Sequence, residues 1–225
     1  MRLPLLGFAV ARATHAPRAI GLFENGVIRD SPPAGPLITM GDPPNIAGAV
    51  MCTTLLDVMG HLARGRVDIG FLGGAQVDRF GNLNTTWVEE RGRRVRLPGS
   101  GGAADIAALS HRTVIIMQHE RRRFPERVGY LTSPGYGAGG RWREEAGLAR
   151  GGPARVITSL AVLGFAPDSH EMMLESVHPG VTVDDVLAET GWALRTSARP
   201  ATTPEPTADE LAVLRRFDPS GAWTG

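Results

Sequence analysis

The chain is 225 residues long, 42% hydrophobic and 21% charged, enough for one large α/β domain with its own core. Its formal net charge of +1 argues against a nucleic-acid binder, which concentrates positive charge, and the single cysteine, Cys52, excludes an internal disulfide framework. All 24 basic residues are arginine, whose planar fork suits carboxylate and phosphate ligands better than a lysine ammonium does.

Met1-Arg2 followed by Leu3 to Val10, with Ala11-Arg12-Ala13 behind, has the outline of a short signal peptide. Arg2 is a thin positive region and Pro4 interrupts the apolar stretch, so the competing reading is an amphipathic helix over Leu3–Ala13, with Pro4 in its first turn. No run approaches the ~20 apolar residues of a membrane span.

Arg18–Phe23 reads as a short strand that delivers Glu24 to a sheet end, where Asn25-Gly26 turns the chain. Leu37–Met40 is a further extended piece. Asp42 caps a helix from about Asn45 to Ala63, with Ile46, Val50, Leu55, Leu56, Met59 and Leu62 at helical spacing and Cys52 buried in it. Val67–Leu72 is a strand nearly free of charge, as in buried parallel sheets. It ends at Gly73-Gly74, and Glu89–Arg94 is a charged loop or hairpin tip. Pro98–Ala103 is a second glycine loop, with a short helix over Ala104–Ser110. Arg112–Met117 is the clearest strand. Ser133–Arg141 is an exposed glycine-rich loop. Ala154–Phe165 is a strand, paired antiparallel with Ser169–Val177. Thr182 caps a helix to Thr190, and residues 197–208 are a linker to a last helix over Ala208–Phe217. One domain over residues 1–225 is expected. It is an α/β domain with a parallel sheet and a later antiparallel portion, its chemistry beyond the carboxyl ends of the strands.

Glu24 in such a turn has four candidate roles: nucleophile, base, metal ligand or turn residue. The six histidines are dispersed and no HExxH spacing occurs, so no metal site is expected. Pro98-Gly99-Ser100-Gly101-Gly102 misses the nucleophile elbow by its first glycine, which leaves a Ser100 hydrolase as a minor alternative. Gly73-Gly74 and Gly101-Gly102 offer unhindered backbone N–H groups that stabilise charge developing on an oxygen. Arg91, Arg93, Arg94 and Arg96 form one basic cluster and Arg121-Arg122-Arg123 another. Each is either a solvated face or a contact to an acidic ligand such as a nucleotide diphosphate.

The order of several stretches resembles one family. They are Leu3-Pro4, Thr14-His15-Ala16-Pro17, Phe23-Glu24-Asn25-Gly26, Gly41-Asp42-Pro43, Asp68 through Asp78, Gly81-Asn82-Leu83-Asn84, Leu97 through Gly102, His178 through Thr182 and Thr190-Gly191-Trp192. Together they resemble the B (beta) subunit of family I coenzyme A transferases, the glutaconate CoA-transferase-like branch fitting best. The resemblance implies a three-layer α/β/α fold and a cytoplasmic hetero-oligomer with an A (alpha) subunit. Acyl-CoA and a carboxylic acid would be its substrates, with coenzyme A a substrate and no cofactor permanently bound. Nucleic acid and membrane are not expected partners. It places the catalytic glutamate at Glu24, with Asn25 and Gly26 supporting its turn. Gly73, Gly74, Gly99, Ser100, Gly101 and Gly102 would form the oxyanion and CoA-binding loops. Family members usually carry a strand and a glycine loop before the position of Leu3, so part of the oxyanion site would lie upstream. On this resemblance Leu3–Ala13 is a core helix. Some relatives hydrolyse a ring of a steroid CoA thioester but commonly lack a glutamate at the Glu24 position, so its presence favours transfer. The remaining alternative is a non-catalytic partner subunit.

Overall fold

A computed structural model describes residues 2–35, 37–148 and 150–221. The chain gathers into two compact units, Met1–His61 with Glu205–Gly225, and Leu62–Pro204.

The first unit begins with α1 (Arg2–Thr14), the predicted helix extended by one residue at each end. It buries Leu5, Leu6 and Ala9 and lays the Phe8 ring against Gly21, where an added Cβ would stand 3.3 Å from the ring. Next, β1 (Gly21–Leu22) and β2 (Val27–Arg29) form a tight antiparallel hairpin, Gly21 opposite Arg29 and Leu22 opposite Ile28. The strand expected over Arg18–Phe23 is therefore two residues long and belongs to a separate three-stranded sheet. The cause is local: the chain folds back at once, with Gly26 N–H on the Phe23 carbonyl at 3.0 Å and Phe23 N–H on the Val27 carbonyl at 2.8 Å.

The long helix expected over Asn45–Ala63 is two helices with a strand between: α2 (Pro43–Ile46), β3 (Met51–Cys52) and α3 (Leu55–Ala63). Gly48, at φ +71°, takes the chain out of the helical region. β3 then pairs with β2, Cys52 opposite Val27. α3 restarts at a reciprocal cap, Asp57 N–H donating to Thr54 Oγ1 at 3.2 Å and Thr54 N–H to the Asp57 carboxylate at 3.3 Å. Cys52 is thus exposed on a strand rather than buried in a helix. Ile46, Val50, Leu55 and Leu56, read as a core face, are exposed as well. Asp42 does not cap α2. Its carboxylate takes the N–H groups of Thr39 (3.0 Å) and Ile38 (2.6 Å), which hold it below the usual carboxylate range and make Leu37–Met40 a turn.

β2 ends on Arg29, only 2% exposed. Its guanidinium donates to the carbonyls of Ser31 (2.9 Å), Asn45 (2.5 Å) and Ala47 (2.8 Å). One side chain therefore ties the strand to the proline loop and to the end of α2.

The second unit opens with β4 (Ile69–Leu72). Two hairpins follow, β5 (Gln76–Val77) with β6 (Leu83–Asn84), and β7 (Trp87–Glu90) with β8 (Arg93–Arg96), the latter at the predicted charged tip. Then come α4 (Ala103–Leu109), β9 (Arg112–Met117), α5 (Trp142–Glu145), β10 (Pro153–Thr158), β11 (Ala161–Phe165), β12 (Met172–Val177), α6 (Val183–Ala188) and β13 (Arg195–Thr202). The main sheet has six strands in the order β13-β12-β11-β10-β9-β4. β4, β9 and β10 run parallel, β11 is antiparallel to both neighbours, and β12 and β13 are parallel. This is an α/β architecture with a largely parallel sheet and the expected antiparallel portion. The single strand expected over Ala154–Phe165 is a hairpin, because Thr158 Oγ1 accepts the N–H groups of Leu160 (3.2 Å) and Ala161 (2.9 Å) and turns the chain there. Residues 197–202 of the expected linker lie in β13.

Leu72, Ile115, Val156, Leu163, Met172 and Leu174 form the core with Ala107 of α4 and Val186 of α6. α4 lies close on β4 because position 70 is glycine; a Cβ there would stand 2.4 Å from Ile106. The chain ends with α7 (Ala208–Phe217), the predicted span, capped by Thr207 and Glu210 and packed on α1 in the first unit. No helix among the described residues is long and apolar enough to cross a membrane.

His119, just past β9, is 5% exposed and stacked on Phe124 with ring centroids 4.0 Å apart. Nδ1 lies 3.0 Å from Thr158 Oγ1 and Nε2 3.1 Å from Thr190 Oγ1. Burial lowers its pKa from 6.5 to about 4, against the opposing pull of Glu189. The unfolded chain takes up this proton near 6.5 while the folded chain resists until about 4. Stability is therefore complete above the unfolded value and falls as pH drops through that window, by up to about 3 kcal/mol. Urea midpoints at pH 7.5 and pH 4.5 should differ less in His119→Gln than in the unaltered chain.

Candidate functional site

Glu24 occupies the turn that joins β1 to β2 and is half-buried. Asn25 Nδ2 donates to the Met40 carbonyl at 2.9 Å, and Thr53 N–H donates to the Gly26 carbonyl at 2.9 Å, so the turn is tied to two further segments of its unit. Gly26 adopts φ +105°, and a Cβ there would stand 2.1 Å from the Thr53 carbonyl oxygen. Only glycine satisfies both the dihedral and the contact. Gly26→Ala should open the turn and cost about 2–4 kcal/mol. Asn25→Ala, which loses the bond to Met40 and a long one from Val27 N–H at 3.4 Å, should cost about 1–2 kcal/mol. Thermal melts of both variants beside the unaltered protein check the ranking.

The glycine loops belong to the second unit. Gly73 is exposed and Gly74 half-buried at the carboxyl end of β4. The loop over Pro98–Gly102 is fixed at its start: Leu97 N–H donates to the Thr86 carbonyl at 2.9 Å and Gly99 N–H to the Thr85 carbonyl at 2.8 Å. Thr132 Oγ1 in turn accepts Thr85 N–H at 2.9 Å and lies 2.8 Å from Thr86 Oγ1. The Gly99 N–H is therefore engaged in holding the loop. Ser100 is half-buried and its carbonyl accepts Ala103 N–H at 2.9 Å. Gly101, at φ +50°, is the exposed apex, and Gly102 is the buried residue from which α4 starts.

Sequence reasoning missed a second network in this unit. Asp78 is 3% exposed; its carboxylate accepts the N–H groups of Phe80 (3.0 Å) and Asn82 (3.1 Å) and the Asn82 side-chain amide (3.1 Å). Burial pushes its pKa up against these hydrogen bonds. Asn82 Oδ1 then accepts the N–H groups of Gly135 and Gly137, both at 3.0 Å. This is why the stretch over Ser133–Arg141 is anchored, with Ser133 and Gly135 buried, rather than an exposed loop. Arg143, also buried, donates to the Gly135 carbonyl at 2.8 Å and the Arg150 carbonyl at 2.6 Å. The Asp78-to-Asn82 spacing in a glycine turn was the available signal. For the two buried arginines the sequence held none, since nothing local marks an arginine that will donate to main-chain carbonyls.

A largely parallel sheet edged by glycine loops, and an acid set in a tight turn, place the chain among α/β enzymes. Residues 46–189 match the family described as coenzyme A transferase. The chain is 39% identical over 219 residues to the B subunit of the 3-oxoadipate CoA-transferase of Pseudomonas knackmussii, covering 96% of this chain and 84% of that one. Its identity to the B subunit of the glutaconate CoA-transferase of Acidaminococcus fermentans is 35% over 98% of this chain and 85% of that one. The crystal structure of the glutaconate enzyme matches with a TM-score of 0.89, over 99% of this chain and 88% of that one at 32% identity. A cholesterol ring-cleaving hydrolase IpdB subunit of Rhodococcus jostii is 28% identical over 96% of this chain and 82% of that one. The chain belongs to the coenzyme A transferase family, and within it to the B-subunit type.

Proposed function

We propose that Glu24 is the nucleophile of this CoA-transferase and that the chain works in a hetero-oligomer with an A-type subunit. The Glu24 carboxylate attacks the carbonyl of an acyl-CoA; the C–S bond breaks, CoA leaves as thiolate, and a mixed anhydride remains. The thiolate attacks the Glu24 carbonyl carbon and releases the donor acid, leaving a glutamyl-CoA thioester. An acceptor carboxylate attacks that thioester to form a second anhydride, and the thiolate takes the new acyl group and restores Glu24. Protons and electrons balance with no other reactant. The glycine loops of the second unit, Gly73-Gly74 and Gly99 through Gly102 with Ser100, would bind coenzyme A. Such use of CoA thioesters fits a cytoplasmic enzyme.

The observation that supports this reading is the clamped turn: Gly26 and Asn25 fix the backbone that carries the half-buried Glu24, which limits where its carboxylate can reach. Exposed apolar side chains on the same unit, Ile38 at 83% and Leu56 at 78%, support a covering partner. The test is trapping. The reconstituted enzyme is incubated with acyl-CoA and then hydroxylamine or borohydride, and peptide mass spectrometry should place the modification on Glu24. An unmodified Glu24 in an enzyme that still transfers CoA would overturn the assignment. Release of free acid from the thioester at the same rate with no acceptor present would favour hydrolysis instead.

A further inference from the structure

The two arginine clusters have different fates in the fold. Arg121 donates to the carbonyls of Ala188 and Thr190, both at 2.9 Å, and Arg122 and Arg123 pair with Glu120 at 2.7 and 3.4 Å. That cluster is spent on structure. Arg91, Arg93, Arg94 and Arg96 are all exposed on the β7–β8 hairpin, and among the described residues none of them enters an ion pair. Glu89 and Glu90 lie directly opposite Arg94 and Arg93 in the ladder. Even so, Arg94 stacks on the Trp87 ring, 4.0 Å from its centroid. Trp87 also meets the exposed Tyr130, with ring centroids 6.2 Å apart. Strand alternation puts Trp87, Glu89, Arg94 and Arg96 on one face of the ribbon and Glu90 and Arg93 on the other.

This ribbon runs straight into the second glycine loop. Arg96 lies over it, its Nη2 3.6 Å from where a Gly99 Cβ would stand. At about 3.3 Å per residue the chain from Arg94 to Gly101 spans at most roughly 23 Å, the scale of an extended phosphopantetheine arm.

We propose that the hairpin binds the 3′,5′-ADP end of coenzyme A. On the Trp87 face Arg94 and Arg96 hold the phosphates through their forks, beside the Glu89 that shares this face, and the Arg94 plane, fixed by Trp87, offers its outer face to the adenine. The pantetheine arm runs along β8 past Arg96 to the Gly99–Gly102 loop. This rests on the CoA-transfer reading above, but its test is separable from it.

The holoenzyme with its A subunit is assayed with an acyl-CoA and with the same acyl group on pantetheine, which lacks the nucleotide. In the double variant Arg94→Gln, Arg96→Gln, KM for acyl-CoA should rise about tenfold or more with kcat little changed. kcat/KM for acyl-pantetheine should be unchanged, and inhibition by 3′,5′-ADP should weaken by a factor similar to the KM rise. Unchanged KM and inhibition would overturn the proposal, as would equal losses on both thioesters, which would mark the hairpin as an assembly or folding element. Calorimetric titration of CoA into both proteins reads the hairpin even where Glu24 fails as the nucleophile.

Discussion

Glu24→Gln should abolish CoA transfer, lowering kcat by about 10³-fold or more, or roughly 4 kcal/mol of transition-state stabilisation. Glutamine keeps the size of the side chain and the Phe23–Gly26 turn, which the backbone and Asn25 hold. The Thr53 contact at Gly26 is equally untouched. The variant should therefore fold, assemble with its partner and bind CoA as the unaltered chain does. What the amide lacks is a nucleophilic oxygen able to open the thioester. Initial rates of CoA transfer, with circular dichroism and size-exclusion profiles alongside, separate the chemical defect from a folding one. A variant that transfers within tenfold of the unaltered enzyme would remove Glu24 from the mechanism. Full activity would leave the chain as a non-catalytic partner of an A subunit that carries the chemistry.

Arg29→Met should give the largest loss of stability, about 3–5 kcal/mol. Methionine replaces the apolar stem of the arginine but leaves the carbonyls of Ser31, Asn45 and Ala47 without their donor. Each buried acceptor so stranded costs about 1–3 kcal/mol, and the three are coupled, so they do not simply add. For a chain of this size the loss should lower the melting temperature by about 10 °C. Proteolysis should open the first unit earliest, because all the lost bonds lie between residues 29 and 47. A melting temperature within a degree or two of the unaltered protein would show that water takes over those carbonyls.

The sequence alone was strong where periodicity and caps act over a few residues. Arg112–Met117 is a strand over the predicted residues because an apolar, β-branched run suits a buried sheet position. Ala208–Phe217 is a helix because the Thr207 and Glu210 cap and an amphipathic stripe agree. The turn at Asn25-Gly26 was legible for the same reason. Residues 45–63 misled because their apolar spacing fits a helix. The spacing says nothing of the positive φ at Gly48 or of the ladder that β2 offers to Met51-Cys52. The Ala154–Phe165 stretch misled because a Thr158 hydroxyl, with no Gly or Pro signal at the turn, folds it back.

For the candidate site, residue types and motif order pointed to the family and singled out Glu24 and the glycine loops as candidates, since local backbone chemistry is written into Asn-Gly and Gly-Gly pairs. Only the tertiary structure decided how those pieces are held. It set Glu24 in a hairpin of its own small sheet, committed the Gly99 N–H to Thr85, and anchored the loop over Ser133–Arg141 on Asp78 and Asn82. It also separated the arginines that structure consumes from those of the β7–β8 hairpin that face solvent. Each of these depends on which donor meets which acceptor across tens of residues, and no short-range pattern of the chain encodes that pairing.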